Sequence, residues 1–315
     1  MAKVKAERID QWEKRSGASR PKIGALFGLA TGGSHFVLHK LQGHPQVMAL
    51  KQRALFPELK HYFGEGSVQV ADIVDKQLRP KKENLAGVEW IFVNKPQMAY
   101  LSNQYLFNRE RISNIYCLRN PMALFHSRAN DRMAFGKQVY DRELNWEDIA
   151  ESLVTEYRVS MASFAQAFDP KLDLVINLES FAANLQDHLD MIWGHLGVEK
   201  IMDSDLALLD TCEKCGRPLS VKEGQVGTRF EELLYCEHDQ LYYQGPGGYN
   251  YIRKFNLSGL HSWKQKNHAA KLTAYFSEHL GSELIDFFED EAYMGGDARE
   301  RFGELIDNTM AGFLT

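Results

Sequence analysis

Apolar positions along this chain fall into short runs that alternate with helical stripes. Residues 22 to 28 (KIGALFG) make a run of strand length, and a helical pattern follows through about 43, closed by Gly43 and the turn pair His44-Pro45. After a long irregular stretch, residues 90 to 94 (WIFVN), 113 to 118 (SNIYCL) and 172 to 178 (LDLVINL) supply three more runs of buried-strand length, each leading into a helical pattern. That alternation predicts an α/β architecture of three layers, a parallel sheet flanked by helices on both faces. One helix is predicted from Asn145 as N-cap, with Glu147 and Asp148 in its first turn and Trp146, Ile149, Leu153, Tyr157, Met161, Phe164 and Phe168 on one apolar stripe. Another is predicted from about 181 to 196, burying Phe181, Leu185, Leu189, Ile192 and Leu196 and ending at Gly197. Residues 205 to 250 break the alternation with CEKCGRPL, YCEHD and QGPGGY and read as an insertion before helices resume around 264. The expected organisation is a helical extension over 1–20, a core over 21–204, an inserted Cys-rich subdomain over 205–250, and the rest of the core over 251–315.

Composition narrows the function classes. With 315 residues, 44% hydrophobic and 25% charged, the chain can bury a core as one large domain. A formal net charge of −5 without a long lysine/arginine run argues against a dedicated nucleic-acid binder and leaves small anionic ligands in play. No window approaches the roughly eighteen consecutive apolar residues of a membrane span. The first twenty residues alternate charges without an apolar core, so neither signal peptide nor membrane anchor is expected, and a cytoplasmic location is.

Candidate chemistry begins at LFGLATGGSHFVLHKL, residues 26 to 41. Gly28 and Gly33 have the spacing of the two P-loop glycines, but Ser34 and His35 stand where lysine and serine or threonine would grip terminal phosphates and magnesium. A metal-bound nucleoside triphosphate is therefore disfavoured. The backbone N–H groups of the helix start can still cradle one phosphate, and a plain strand-to-helix turn accounts for the same residues. In IYCLRNPMALFHSR, residues 115 to 128, Arg119 follows a strand end, Pro121 opens a helix, and Ser127 lies two turns along. A guanidinium fork and a hydroxyl suit a second phosphate.

These segments resemble the sulfotransferases that use 3′-phosphoadenosine 5′-phosphosulfate (PAPS). The glycine loop, its helix and HPQV at 44 to 47 are similar to the family's 5′-phosphosulfate loop, written G-x-P-(R/K)-S-G-T-(T/S). Arg119 with Ser127 eight positions later is similar to the 3′-phosphate site, and YIRKFNLSGLHSWK at 251 to 264 resembles the late motif R-K-G-x-x-G-x-W-K. FVNKPQMAYL at 92 to 101 is a weaker likeness to a K-(T/S)-P segment. The resemblance implies a P-loop-like sulfotransferase fold. It implies donor contacts from Gly28, Thr31, Gly32, Gly33, Ser34, His35, Arg119, Ser127, Arg253 and Lys254, with PAP as the desulfated product. It further implies transfer of a sulfuryl group to a hydroxyl or amine of a carbohydrate or small-molecule acceptor. Partners expected are that acceptor, no nucleic acid, no membrane, and a possible homodimer.

Three departures shape the catalytic candidates. The family's loop cation falls on Thr31 and its proline on Ala30, which makes Lys95 the replacement cation by motif. The usual glutamate base falls on Gln52, leaving Glu58, His61 and His35 as local substitutes. Phe255 stands where the family has glycine, beside Arg253 and Lys254. Glu179 matches a carboxylate of the family but reads as a helix-capping residue. The alternatives are a PAPS- or PAP-binding module without turnover and a P-loop-like transferase with another phosphorylated donor.

Four cysteines are too few for a disulfide scaffold, and three cluster. Cys212-Glu-Lys-Cys215-Gly looks like a zinc knuckle, and Cys236-Glu-His238 could complete a closed Cys₃His site, with Asp239 as a competing ligand and buried thiols as the metal-free reading. Such a zinc would be structural.

Overall fold

The computed structural model describes residues 22–28, 33–50, 87–95, 112–140, 146–167, 172–206, 212, 215–223, 230–242, 252–255, 260–265 and 269–280. Five strands form a parallel sheet: β1 (Lys22–Gly28), β2 (Val47–Leu50), β3 (Trp90–Lys95), β4 (Ile112–Leu118) and β5 (Leu174–Asn177), in the order β2-β3-β1-β4-β5. β1 is central, so its residues face neighbours on every side. Ala25, Leu26 and Phe27 are all buried, the unbroken apolar reading of a strand covered on both faces.

Helix α1 (Ser34–Gln42) returns over β1, β2 and β3. Its Phe36, Val37 and Leu41 join Leu26, Phe92, Ile115 and Ile176 in one core. The same core takes Leu189, Ile192 and Trp193 from α5 (Leu185–Leu196), which follows the short α4 (Leu178–Ala183). Phe27 and Tyr116 belong to the opposite sheet face, where their rings stack at 5.4 Å. Helices α2 (Pro121–Tyr140), α3 (Trp146–Ala167) and α6 (Ala269–Leu280) meet around Phe125, whose ring lies 5.3 Å from Tyr157 and 3.5 Å from Phe276. The three-layer expectation matches this sheet flanked by helices.

Two details differ from the sequence reading, and one agrees. β2 occupies part of the stretch read as irregular, because a four-residue edge strand directly after a turn carries too few residues to show a period. The helix expected over 181–196 is two helices, broken at Asn184, whose ψ of 58° leaves the helical region. Gly197 does end the second one, in the left-handed conformation at φ 67°.

The inserted region builds a second, antiparallel sheet from β6 (Ser220–Glu223), β7 (Phe230–Cys236), β8 (Leu241–Tyr242) and β9 (Ile252–Phe255). β7 pairs with all three others. The sheet therefore runs past position 250 and takes in the strand that carries Arg253 and Lys254. It is not a detached body: Leu233 of β7 belongs to the main core, Tyr242 packs against it, and β9 lies against α1.

Candidate functional site

Parallel pairing brings the chemistry-bearing residues to one sheet edge. Gly28, the last residue of β1, stands opposite Cys117 of β4, so Arg119 leaves β4 beside the end of β1. A Cβ on Gly28 would lie 3.2 Å from the Cys117 carbonyl oxygen and 3.3 Å from the Ser34 Cβ, which explains a glycine at this crossing. On the other side Lys95 pairs with Phe27, which puts the end of β3 at the same edge. Open α/β sheets bind ligands here, beyond the carboxyl ends of the strands.

Gly33 opens α1 at φ 86° with no side-chain cap, and its carbonyl accepts the Phe36 N–H at 2.9 Å. The first turn of α1 has no acidic residue, so the positive end of the helix is not neutralised from within. Ser34 is buried and His35 half-buried. Burial lowers the His35 pKa to about 4. His39, one turn on and fully buried, is lowered to about 3 by burial first and by the nearby His35 and Lys40 second. Both imidazoles are neutral at pH 7. A pKa of about 4 lies well below the near-neutral value that suits a general base.

Those values predict acid sensitivity. Each folded-state pKa lies below the ordinary 6.5, so between about 4 and 6.5 the unfolded chain binds more protons than the folded one. The contribution of these histidines is complete above pH 6.5 and is lost as pH falls through that window. Urea midpoints measured across it should decline with falling pH, with a shallower slope in His39→Gln; a flat wild-type profile would show the imidazoles to be solvated.

Arg119 is buried, with its Nε 3.7 Å from Glu179 Oε1. The Asn120 N–H donates to both Glu179 oxygens, at 3.3 and 3.2 Å. Asn120 Oδ1 in turn accepts the N–H groups of Met122 and Ala123, capping α2 ahead of Pro121 as its first residue. Glu179 sits in the first turn of α4, where Asn177 rather than Glu179 is the cap, accepting Ser180 N–H at 3.0 Å. It engages the Asn120 backbone N–H and the Arg119 side chain together. Sequence reasoning missed this because the partners are 59 positions apart.

Ser127 is half-buried on α2. Next to it in sequence, His126 meets Trp263 of the late segment at 5.6 Å between rings. The short 3-10 turn Ser262–Gln265 packs on α2 and α6, while β9, with Lys254 exposed, lies against α1. The structure thus brings Gly28, the ends of β3 and β4 and the start of α1 at Gly33, Ser34 and His35 to one edge, while β9 contacts α1 and Trp263 contacts α2. Thr31, Gly32, Gln52, Glu58 and His61 lie outside the described residues, as do the side chains of Lys95 and Arg253.

Cys212, Cys215, Cys236 and Asp239 place one ligand atom each within 4.8 Å of one another. Cys215 Sγ is 3.6 Å from Cys236 Sγ, too long for a disulfide, and Asp239 Oδ2 is 3.7 Å from Cys212 Sγ and 3.6 Å from Cys236 Sγ. The turn is closed by Gly216 N–H to Cys212 O and Cys212 N–H to Arg217 O, both 2.8 Å, with Gly216 at φ 68°. His238, the expected fourth ligand, is outside this group. It is exposed and its Nδ1 lies 3.0 Å from Asp239 Oδ1. Hydrogen bonding to His238 first, and to the thiols, holds the Asp239 carboxyl below the usual range. Cys236-x-x-Asp239 repeats the spacing of Cys212-x-x-Cys215, a signal that favours Asp239 over the tighter C-x-H.

No protein-family model matches this chain, and no curated protein matches it in sequence. Among solved structures it is similar to a sulfotransferase domain from the curacin biosynthetic pathway, at 15% identity and a TM-score of 0.46, over 82% of this chain and 99% of that one. It is similar also to the sulfotransferase domain of the Synechococcus olefin synthase, at 17% identity and a TM-score of 0.41, over 64% and 82%. A mouse sulfotransferase complexed with PAP is similar at 15% identity and a TM-score of 0.38, over 60% and 63%.

Proposed function

We propose that the protein is a PAPS-dependent sulfotransferase acting on a hydroxyl or amine of a carbohydrate or small-molecule acceptor. The observation that carries this reading is the pairing of Gly28 with Cys117, which puts the Gly33 helix start and Arg119 at neighbouring strand ends. Two residue positions of phosphate-compatible chemistry, the helix start at Gly33 and Arg119, then belong to neighbouring strand ends, which supports the reading.

In this reading the turn from Gly28 through Thr31 and Gly32 to Ser34 and His35 holds the 5′-phosphate. Arg119, Ser127, Arg253 and Lys254 hold the 3′-phosphate. The acceptor oxygen or nitrogen attacks sulfur in line, the bond from sulfur to the bridging phosphate oxygen breaks, and the electron pair leaves with PAP. Lys95 would offset charge growing on that oxygen. The acceptor's proton goes to His35, Glu58 or His61, and a bisphosphate beside His35 would raise its basicity. The thiol and carboxylate group of Cys212, Cys215, Cys236 and Asp239 would hold a zinc ion in a structural role, since four protein ligands leave no open position.

Calorimetric titration of the full chain with PAP tests this: submicromolar binding is expected, and a silent titration overturns it. Sulfuryl transfer from PAPS to a panel of sugars and phenols then separates enzyme from binding module. Binding without transfer would assign the module, the reading that the weakly basic His35 favours.

A further inference from the structure

We infer that the Cys₃Asp group is a zinc clamp whose task is to hold β9 against α1, the helix that opens the proposed nucleotide site. The donor geometry supports the metal first. A tetrahedral zinc with Zn–S near 2.3 Å and Zn–O near 2.0 Å requires S···S edges of about 3.8 Å and S···O edges of about 3.5 Å. The observed edges are 3.6 Å for Cys215–Cys236, 3.6 Å for Cys236–Asp239 and 3.7 Å for Cys212–Asp239. His238 orients the carboxylate by engaging Oδ1, which leaves Oδ2 toward the thiols. Glu237, the other nearby acid, is turned to Lys222 at 2.8 Å and Ser220 at 3.0 Å, outside the donor set.

What the clamp would hold follows from the pairing. Cys236 ends β7, Asp239 lies in the turn to β8, and Cys212 and Cys215 precede β6. One ion therefore ties the knuckle to the strand that every other strand of this sheet pairs with. The strands have two to seven residues, and β6 faces solvent at Val221, Lys222 and Glu223. A sheet so small has little apolar area to hold itself together, and a metal is a common substitute. β9 has its only strand partner in β7 among the described residues, with Lys254 opposite Glu232 and a register shift on either side. Loosening β7 releases β9, and with it Arg253 and Lys254. The consequence for ligand binding rests on the nucleotide reading above; the clamp itself does not.

The test uses the full chain as purified. One zinc per chain is expected, with cobalt substitution giving the intense charge-transfer bands of thiolate ligation and tetrahedral d–d bands. Asp239→Ala should weaken cobalt binding at least tenfold and change the d–d bands, whereas His238→Ala should keep tetrahedral bands with only a modest loss of affinity. Removal of zinc by a chelator should abolish hydrogen-exchange protection at 252–255 while that of β1 and β4 persists, and zinc should restore it. Absence of stoichiometric zinc, bands unchanged in Asp239→Ala, or unchanged protection of β9 overturns the clamp. PAP affinity should fall at least tenfold on zinc removal, and an unchanged affinity overturns the link to the site. If zinc-loaded protein does not bind PAP at all, the nucleotide reading fails, and hydrogen exchange still decides the clamp.

Discussion

Replacing Gly33 by alanine is expected to destabilise the protein by about 2–5 kcal/mol and to lower its thermal midpoint by roughly 3–8 °C. Two separate costs add. At φ 86° a side chain enters the left-handed region, which costs about 1–2 kcal/mol for an L-residue. The new Cβ would also lie 2.3, 2.5 and 2.9 Å from Cδ2, Cδ1 and Cγ of Leu178. Leu178 is a buried core residue, so it cannot swing into solvent, and overpacking of this kind costs about 1–3 kcal/mol. Against a total stability of roughly 5–15 kcal/mol, the change is large. A double-mutant cycle with Leu178→Ala separates the terms. Shortening Leu178 removes the clash but not the backbone strain, so the pair should be less destabilised than the sum of the single changes. A loss below about 0.5 kcal/mol for Gly33→Ala would show that α1 does not begin in this conformation. Because the same N–H groups are the proposed phosphate cradle, PAP binding should weaken in step.

Arg119→Ala should reduce PAP affinity by about 100-fold or more, since a guanidinium fork on a phosphate makes two charge-assisted hydrogen bonds of about 1.5–3 kcal/mol each. The change also leaves the Glu179 carboxylate without its cation. That cost stays under the roughly 3–5 kcal/mol of a tightly paired buried bridge, because the contact is 3.7 Å long and the Asn120 N–H still serves the carboxylate. Glu179→Gln is the informative companion. It keeps a carbonyl for Asn120 and removes the charge competing for Arg119, so it should bind PAP as tightly as the wild type or more so. Arg119→Lys, a point charge without the fork, should fall between wild type and Arg119→Ala. Equal affinities for wild type and Arg119→Ala would remove this residue from the nucleotide site.

Both predictions depend on contacts that the chain's local patterns do not contain. Gly33 meets Leu178, and Asn120 meets Glu179 59 positions away. Strand pairing decides which distant segments become neighbours. The late segment shows this well: as a string it reads as one motif, yet Ile252–Phe255 is a strand of the small sheet and Trp263 packs beside His126. Likewise Cys212, Cys215 and Cys236 were legible as a donor set with His238 and Asp239 competing for the fourth place, and the turn after β7 decides between them by bringing Asp239 to the thiols.

The sequence by itself determined the alternating α/β layers, the parallel central strands, the left-handed end at Gly197 and the glycine turn before α1, because each rests on local period or on backbone freedom at one residue. Only the tertiary structure decided that Glu179 braces Arg119, that Leu178 forbids a side chain at Gly33, that burial holds His35 neutral, and that Asp239 completes the thiol group. Those four facts depend on which remote surfaces are pressed together and how much water is excluded between them, and neither quantity has a signature in the spacing of residues along the chain.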